Sequence, residues 1–191
     1  YEDDFFLINI KENGDVEVSV YARKKGKREK DKMFYHRVFK HSETKEIRLY
    51  GLDGKDEYQI KGESNKSILV RIIAGDSKDK ITDESKVSGL RKMTLVYDEE
   101  GKSDVEKSPE TKVTEMPARK MYDYDRLAFK YNRWKPVFSL GYNINDGFYI
   151  GPGFSQTFHG FKKNPYKFHH KFMANYTARP NGFNLFYDFH V

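Results

Sequence analysis

Residues 137–159 read VFSLGYNINDGFYIGPGFSQTFH, and apolar side chains alternate with small or polar ones through most of this stretch. A period of two residues is typical of a β-strand with one apolar face. The Asn-Asp-Gly sequence at residues 145–147 interrupts the alternation and is a strong signal for a tight turn. The stretch therefore predicts two antiparallel strands that share an apolar face.

The pattern continues to residue 191 and predicts four successive strands of about 9–12 residues each, with a second turn at residues 179–182. Such strands are typical of transmembrane β-barrels, because lipid offers no hydrogen bonds and the backbone groups must pair with neighbouring strands. The side chains predicted to face the membrane are Phe138, Leu140, Tyr142, Ile144, Phe148, Ile150, Phe154, Phe158, Phe172, Tyr176, Leu185, Tyr187 and Phe189.

A soluble β-sandwich or a lipocalin-like sheet would show the same alternation, with its apolar face turned inward. Three features favour the membrane: the strand length, the aromatic pair Tyr131 and Trp134 where an interfacial belt would begin, and the density of aromatic residues. Residues 137–191 hold 15 of the 29 Phe and Tyr residues but only seven charged ones. Four strands cannot close a barrel, which needs about eight, so we expect further strands beyond this sequence or from another chain.

Composition sets limits on the chemistry of the chain. It has 191 residues, 35 Lys and Arg against 29 Asp and Glu, and no Cys, which excludes disulfides, thiol nucleophiles and Cys-based zinc sites. No run approaches the ~20 apolar residues of a membrane-spanning helix. The chain begins at Tyr1 without a signal segment, so we expect a processed product or a fragment.

The N-terminal region is rich in strand signals. Residues 5–10 and 16–22 flank an Asn13-Gly14 pair, which predicts a hairpin. Residues 47–58 align with residues 70–81 at an offset of 23, and residues 93–104 form a poorer third copy. Repeats of this period are typical of stacked coils, so we predict two to three β-solenoid-like rungs.

The predicted fold class is therefore all-β, with a hairpin and solenoid-like module followed by the first strands of an antiparallel transmembrane barrel. The predicted domains are a β-rich module at residues 1–97, a polar linker at 98–118, a pre-barrel segment at 119–136 and four barrel strands at 137–191.

The turns of the repeat carry carboxylates. Residues 51–59 and 74–82 resemble a degraded form of the nonapeptide that binds calcium in β-rolls, with Asp56 and Asp79 as the ligands. The alternative, which the missing glycines favour, is that these aspartates cap tight turns through backbone amides. Apart from calcium at these turns, we expect no cofactor.

The segments SLGYNINDGFYIG (139–151) and HGFKKNPY (159–166) resemble the bacterial surface antigen barrels related to BamA and TamA. More closely, the chain is similar to large Bacteroidetes outer-membrane proteins in which such a barrel follows a calcineurin-like metallophosphoesterase domain. The segment ETKEIRLYGLDGKDEYQI (43–60) and residues 68–75 resemble the region between phosphatase and barrel in those proteins. The clustered D-x-H and G-N-H motifs of that enzyme are not present as a set, so no catalytic residue is carried over. The resemblance implies a non-catalytic segment in outer-membrane protein assembly, insertion or transport, with a periplasmic N-terminal module.

Two other functions are open at this point. The first is a soluble, secreted binding module built on a calcium-stabilised β-roll. The second is nucleic-acid binding through residues 23–32, which hold seven basic and two acidic residues. Because no aromatic residues interleave for base stacking, we interpret that segment as the solvated tip between two strands. The expected partners are outer-membrane lipid, other envelope proteins or the remaining barrel strands, and not nucleic acid.

Overall fold

The computed structural model describes residues 3–24, 26–99, 101–117, 124–145, 147–179 and 181–191. Every regular element in these residues is a β-strand, which confirms the all-β prediction. Among them there is no helix long and apolar enough to cross a membrane. The strands are β1 (Asp4–Ile10), β2 (Val16–Lys24), β3 (Lys27–Phe39), β4 (Glu46–Tyr50), β5 (Glu57–Lys61), β6 (Glu63–Ser64), β7 (Leu69–Ile73), β8 (Lys80–Asp83), β9 (Lys86–Val87), β10 (Thr94–Asp98), β11 (Asp104–Glu106), β12 (Thr111–Glu115), β13 (Arg133–Asn143), β14 (Gly147–Phe158), β15 (Phe168–Thr177) and β16 (Gly182–His190).

The chain divides into two compact units, Tyr1–Tyr124 and Asp125–Val191. The first unit contains a six-stranded sheet in the order β11-β8-β5-β1-β2-β3, called the first sheet, and a four-stranded sheet in the order β12-β10-β7-β4, called the second sheet. The short strands β6 and β9 pair with each other. The second unit contains the third sheet, in the order β13-β14-β15-β16.

The N-terminal hairpin forms as its turn signal predicts. β1 and β2 are antiparallel, with Ile10 opposite Val16 at the turn. Gly14 has φ of +87°, a left-handed conformation that favours glycine. The Asp15 N–H donates to Asn13 Oδ1 at 3.0 Å, which closes the turn.

The offset of the sequence repeat is also the register of the parallel strands. β4 pairs with β7 so that Ile47 lies opposite Val70, and β5 pairs with β8 so that Tyr58 lies opposite Ile81. Both pairs are 23 residues apart in the chain. The next pairing, β7 with β10, places Val70 opposite Thr94. Equivalent residues of the first two repeats are therefore paired neighbours, whereas the third copy is paired one residue further along, at an offset of 24.

Apolar side chains from the first and second sheets form one core. Ile8 and Ile60 come from the first sheet, Ile72 and Val96 from the second, and all four are fully buried. Burying a side chain of this size stabilises a fold by about 1.5–3 kcal/mol. The core holds the parallel strands, and hence the turn aspartates between them, in place.

In its described residues, 98–99 and 101–117, the stretch predicted as a linker at 98–118 instead contains two strands. β11 pairs in parallel with β8, and β12 with β10. Val105 and Val113 pack against the core. The composition is misleading here because the neighbouring strands supply the hydrogen bonds, and one apolar residue per strand is enough to anchor each of them.

The third sheet is antiparallel throughout and begins earlier than predicted. β13 begins at Arg133, inside the predicted pre-barrel segment, because Arg133 and Trp134 pair with Thr157 and Gln156 of β14. Part of that segment, residues 119–123, lies outside the described residues. In the described part of the chain β13 pairs only with β14 and β16 only with β15, so the sheet is open and not closed into a barrel.

Candidate functional site

The third sheet has two chemically different faces. Cross-strand register places Phe138 opposite Pro152, Phe154 opposite Phe172, and Ala174 opposite Leu185, all on one side. This side is called the apolar face, and it carries no Asp, Glu, Lys or Arg. Its residues are Trp134, Pro136, Phe138, Leu140, Tyr142, Phe148, Ile150, Pro152, Phe154, Gln156, Phe158, Phe168, His170, Phe172, Ala174, Tyr176, Phe183, Leu185, Tyr187 and Phe189.

Most side chains that were predicted to face the membrane are exposed on the apolar face. Phe138 and Leu140 are each 78% exposed. Phe158 and Phe172 are half-buried beneath their neighbours. The other exposed members of the predicted row are Tyr142, Phe148, Ile150, Phe154, Tyr176, Leu185, Tyr187 and Phe189. The exposure of a whole face, and not of scattered residues, makes this the strongest candidate site.

Ile144 is the exception to the predicted row. β13 ends at Asn143, so Ile144 lies in the turn and not on the strand face. The Asn145 N–H donates to Asn143 Oδ1 at 3.0 Å, and this side-chain hydrogen bond ends the strand. Ile144 is nevertheless exposed.

Aromatic pairs connect neighbouring strands across the apolar face. The ring centroids of Phe158 and Phe168 are 4.5 Å apart, and those of Tyr142 and Phe148 are 5.0 Å apart. Pairs of this kind contribute about 0.5–1.5 kcal/mol each beyond their area burial. They fix the strand register from this side of the sheet.

Polar groups on the apolar face lie toward its two ends, and the Tyr187 hydroxyl, one row further in, lies beside His170. Trp134, Gln156 and His170 form one cross-strand row near the β14–β15 loop. Tyr142 and Tyr176 lie toward the opposite end, near the two tight turns. The eight steps from Trp134 to Tyr142 span ~27 Å along the strand, or ~20 Å across a bilayer at the ~35–45° tilt of a barrel strand.

His170 was not singled out by the sequence pattern. Its neighbour His169 lies on the other side of the sheet, as adjacent residues of a strand do. His170 Nδ1 is 2.6 Å from the Tyr187 hydroxyl, and its ring centroid is 4.8 Å from that of Phe189. Strand alternation alone assigns His170 to the apolar face. The prediction omitted it because histidine is polar and the row was chosen from apolar and aromatic residues.

The opposite side of the third sheet is called the polar face. Near the tight turns it is built from small residues. A Cβ on Gly141 would lie 2.4 Å from the Tyr149 hydroxyl oxygen, so Tyr149 lies directly over this glycine. Ser139 Oγ donates to Asn175 Oδ1 at 2.6 Å. This part of the face is therefore closely packed and uncharged.

The turn aspartates form a separate, buried polar site in the first unit. Asp56 Oδ1 accepts the Asp4 N–H at 2.8 Å. The Asp56 N–H donates to Asp79 Oδ1 at 2.8 Å, and the Gly75 N–H donates to Asp79 Oδ2 at 2.9 Å. These contacts agree with the turn-capping alternative, because every donor is a backbone amide. In the described residues no group of three or more His, Asp or Glu is placed to hold a metal.

Burial perturbs both aspartates. It raises the pKa of Asp56 to about 7, against the opposing hydrogen bond from Asp4. Burial also raises the pKa of Asp79, and the amides of Asp56 and Gly75 oppose this. Asp56 Oδ2 and the Tyr58 hydroxyl have no hydrogen-bond partner among the described residues. A buried carboxyl with a raised pKa is a candidate for chemistry, but the hydrogen bond that Asp56 accepts comes from a backbone amide, as in a turn cap.

Residues 23–32 belong mainly to the β2–β3 hairpin. Lys24 lies opposite Lys27, so most of the described part of this segment is strand. Arg23 forms an ion pair with Glu57 at 3.1 Å, and the Arg28 guanidinium lies 4.8 Å from the centroid of Tyr21. At least these two cations are engaged with their own fold.

No protein-family model, no curated protein and no solved structure matches the chain.

Proposed function

We propose that the third sheet forms part of the wall of a β-barrel in a bacterial outer membrane, with its apolar face against lipid. The chain is then a non-catalytic segment of an envelope protein that assembles, inserts or transports other outer-membrane components. The observation that carries the proposal is the exposed, uncharged apolar face.

The exposed side chains of the apolar face must be removed from water, either by lipid or by another apolar surface. Removing one large apolar side chain from water contributes about 1.5–3 kcal/mol, so the exposed side chains of this face together represent on the order of 20 kcal/mol. That exceeds the ~5–15 kcal/mol net stability of a typical domain. A face of this size in water would promote aggregation.

Lipid fits the face better than a second packed sheet would. Trp134 and His170 stand at one end, with the Tyr187 hydroxyl beside His170, and Tyr142 stands at the other. The side chains of the central rows are hydrocarbon. Aromatic side chains with polar tips are enriched at both bilayer interfaces of membrane barrels. The inner face of a soluble sandwich has no such requirement at its ends.

The proposal needs further strands. β13 and β16 are the edges of the described sheet, and an unpaired edge within lipid would leave backbone groups without hydrogen bonds. Pairing with strands of a longer chain or of another chain satisfies these edges. Outer-membrane lipid and those strands are the direct partners.

The first unit has the features expected of a solenoid-like module, since its parallel strands stack at the repeat period. We place it in the periplasm, bound to other envelope proteins. The role in assembly or transport rests on the resemblance of residues 139–151 and 159–166 to surface antigen barrels.

A pair of adjacent substitutions tests the lipid assignment. Leu185 is exposed on the apolar face and Asn184 is exposed on the polar face of the same strand. A lysine at the bilayer midplane costs about 2–4 kcal/mol. Leu185→Lys should therefore reduce the fraction of chain that floats with phospholipid vesicles in a density gradient, whereas Asn184→Lys should not. Equal flotation of both variants, or no flotation of the unmodified chain, would contradict the proposal.

A further inference from the structure

The charged side chains of the third sheet gather in one place. Among the described residues of its strands only Arg133, Lys135, Lys171 and Asp188 are charged, and all four lie on the polar face. Lys135 is opposite Ser155, Ser155 is opposite Lys171, and Lys171 is opposite Asp188, so three of them share one cross-strand row. All four are in the half of the sheet away from the tight turns.

The spacing of this row suits a small anion. Adjacent strands are ~4.8 Å apart, so the backbones of Lys135 and Lys171 are ~10 Å apart with Ser155 midway between them. Lysine side chains are long enough to lean over the short serine from both sides. In that arrangement the two ammonium groups would flank a position directly above a hydroxyl.

The next row supplies further donors. Arg133 lies opposite Thr157, and Thr157 lies opposite His169. His169 Nδ1 is 2.9 Å from Thr157 Oγ1, and His169 Nε2 is 3.3 Å from Ser155 Oγ. A neutral imidazole donates one hydrogen bond and accepts one, so at least one of these two hydroxyls keeps its own hydrogen free for another acceptor.

The cations are not neutralised by the sheet itself. Within the described part of the chain, Arg133, Lys135 and Lys171 form no ion pair. The one carboxylate of the group, Asp188, is 2.9 Å from His190 Nε2 through its Oδ2 atom. Three cations against one carboxylate leave a local excess of positive charge.

We propose that this part of the polar face, formed by Arg133, Lys135, Ser155, Thr157, His169 and Lys171, is a binding site for a phosphate group. The ammonium and guanidinium groups supply charge-assisted hydrogen bonds, and the free hydroxyl supplies a directed donor. The inference concerns only the polar face and does not require that the apolar face contacts lipid. A phosphate group is carried both by free inorganic phosphate and by a lipid headgroup.

The test is isothermal titration calorimetry of the full chain in detergent micelles, with sodium phosphate as the probe. Lys135→Gln/Lys171→Gln should raise the Kd for phosphate by at least about tenfold, since two charge-assisted contacts are lost. Lys61→Gln/Lys112→Gln is the control, because it removes the same charge from two exposed lysines of the first unit. The control should change the Kd by less than about twofold. Far-ultraviolet circular dichroism establishes that both double variants keep their strands.

Further titrations distinguish a specific phosphate site from nonspecific attraction of anions to positive charge. Ser155→Ala/Thr157→Ala should weaken phosphate binding but leave chloride binding unchanged, because only an oxyanion uses the hydroxyl donors. Short-chain phosphatidic acid, titrated separately, distinguishes the two sources: competition with phosphate identifies a shared site, and tighter binding of the lipid identifies the headgroup as the ligand. The proposal is overturned if phosphate does not bind, if chloride competes equally, or if both lysine pairs have equal effects. Because vesicle flotation is measured separately, failure here leaves the lipid assignment standing.

Discussion

Replacing Asp56 with asparagine should make the first unit more stable at neutral and alkaline pH. Asp56 is 1% exposed, and its Oδ2 atom and the Tyr58 hydroxyl both lie 2.7 Å from the position that a Cβ on Gly51 would occupy. Neither atom has a hydrogen-bond partner among the described residues. Asparagine keeps the acceptor for the Asp4 N–H and replaces a buried carboxylate, one oxygen of which has no partner among the described residues, with an uncharged amide.

The magnitude follows from the pKa of the Asp56 carboxyl. Burial raises it from 3.8 to about 7. Between these values the folded chain holds a proton that the unfolded chain has released, so the free energy of unfolding falls as pH rises from about 4 to about 7 and then levels off. The difference between the two pKa values corresponds to about 4 kcal/mol of unfolding free energy. Because relaxation of the turn reduces this amount, we expect the free energy of unfolding to fall by about 2–4 kcal/mol.

Urea unfolding at several pH values measures this effect. Tyr58 stacks on Phe6 with ring centroids 4.5 Å apart, so near-ultraviolet circular dichroism of the tyrosines reports on the core that surrounds Asp56. Asp56→Asn should match the unmodified chain near pH 4 and exceed it by about 2–4 kcal/mol at pH 8. Asp53→Asn, an exposed residue of the same turn, is the control and should change stability by less than about 0.5 kcal/mol. A chain whose stability is constant from pH 4 to pH 8, or an Asp56→Asn variant that is less stable at pH 8, would refute the reasoning.

Three further outcomes are expected. Gly62→Ala should cost more than about 3 kcal/mol in urea unfolding, because φ is +114° and the new Cβ would lie 2.0 Å from the Ile10 carbonyl oxygen. Gly89→Ala has a similar φ of +124° but no atom within 4 Å of the new Cβ, so it should cost only about 1–2 kcal/mol; equal losses would argue against the Ile10 contact. Calcium should leave the unfolding midpoint unchanged, since both Asp79 oxygens accept backbone amides, and a midpoint that rises with calcium and is lost in Asp79→Asn would favour the β-roll alternative.

Periodicity in the sequence predicts the faces and part of the register. Alternation places Phe138 and Leu140 on one side of β13, and the 23-residue repeat pairs Ile47 with Val70, as the structure has them. Both predictions succeed because they depend only on the spacing of residues in the sequence, two residues for a strand face and 23 for the repeat. The repeat does not give the register of the third copy, because Val70 pairs with Thr94 at an offset of 24.

Features that depend on pairing between distant segments are not visible in the sequence. Asp56 accepts its hydrogen bond from Asp4, which is 52 residues away in the chain. The row that joins Lys135 to Lys171 depends on the lengths of one turn and one loop. β11 has a single apolar residue, Val105, whose burial depends on strands that precede it. The polar composition around it therefore indicated a linker.

The central claim is that the apolar face of the third sheet contacts hydrocarbon. The chain has no Cys, so single cysteines can carry a nitroxide at successive positions of β13 and β16 in vesicle-reconstituted chain. Electron paramagnetic resonance then compares collision with oxygen, which concentrates in lipid, against collision with a water-soluble nickel chelate. Labels at positions 138, 140 and 185 should favour oxygen, and labels at 139, 184 and 186 should favour nickel, with a period of two residues. Equal access to nickel on both faces, or burial of 138, 140 and 185 from both reagents, would contradict the assignment.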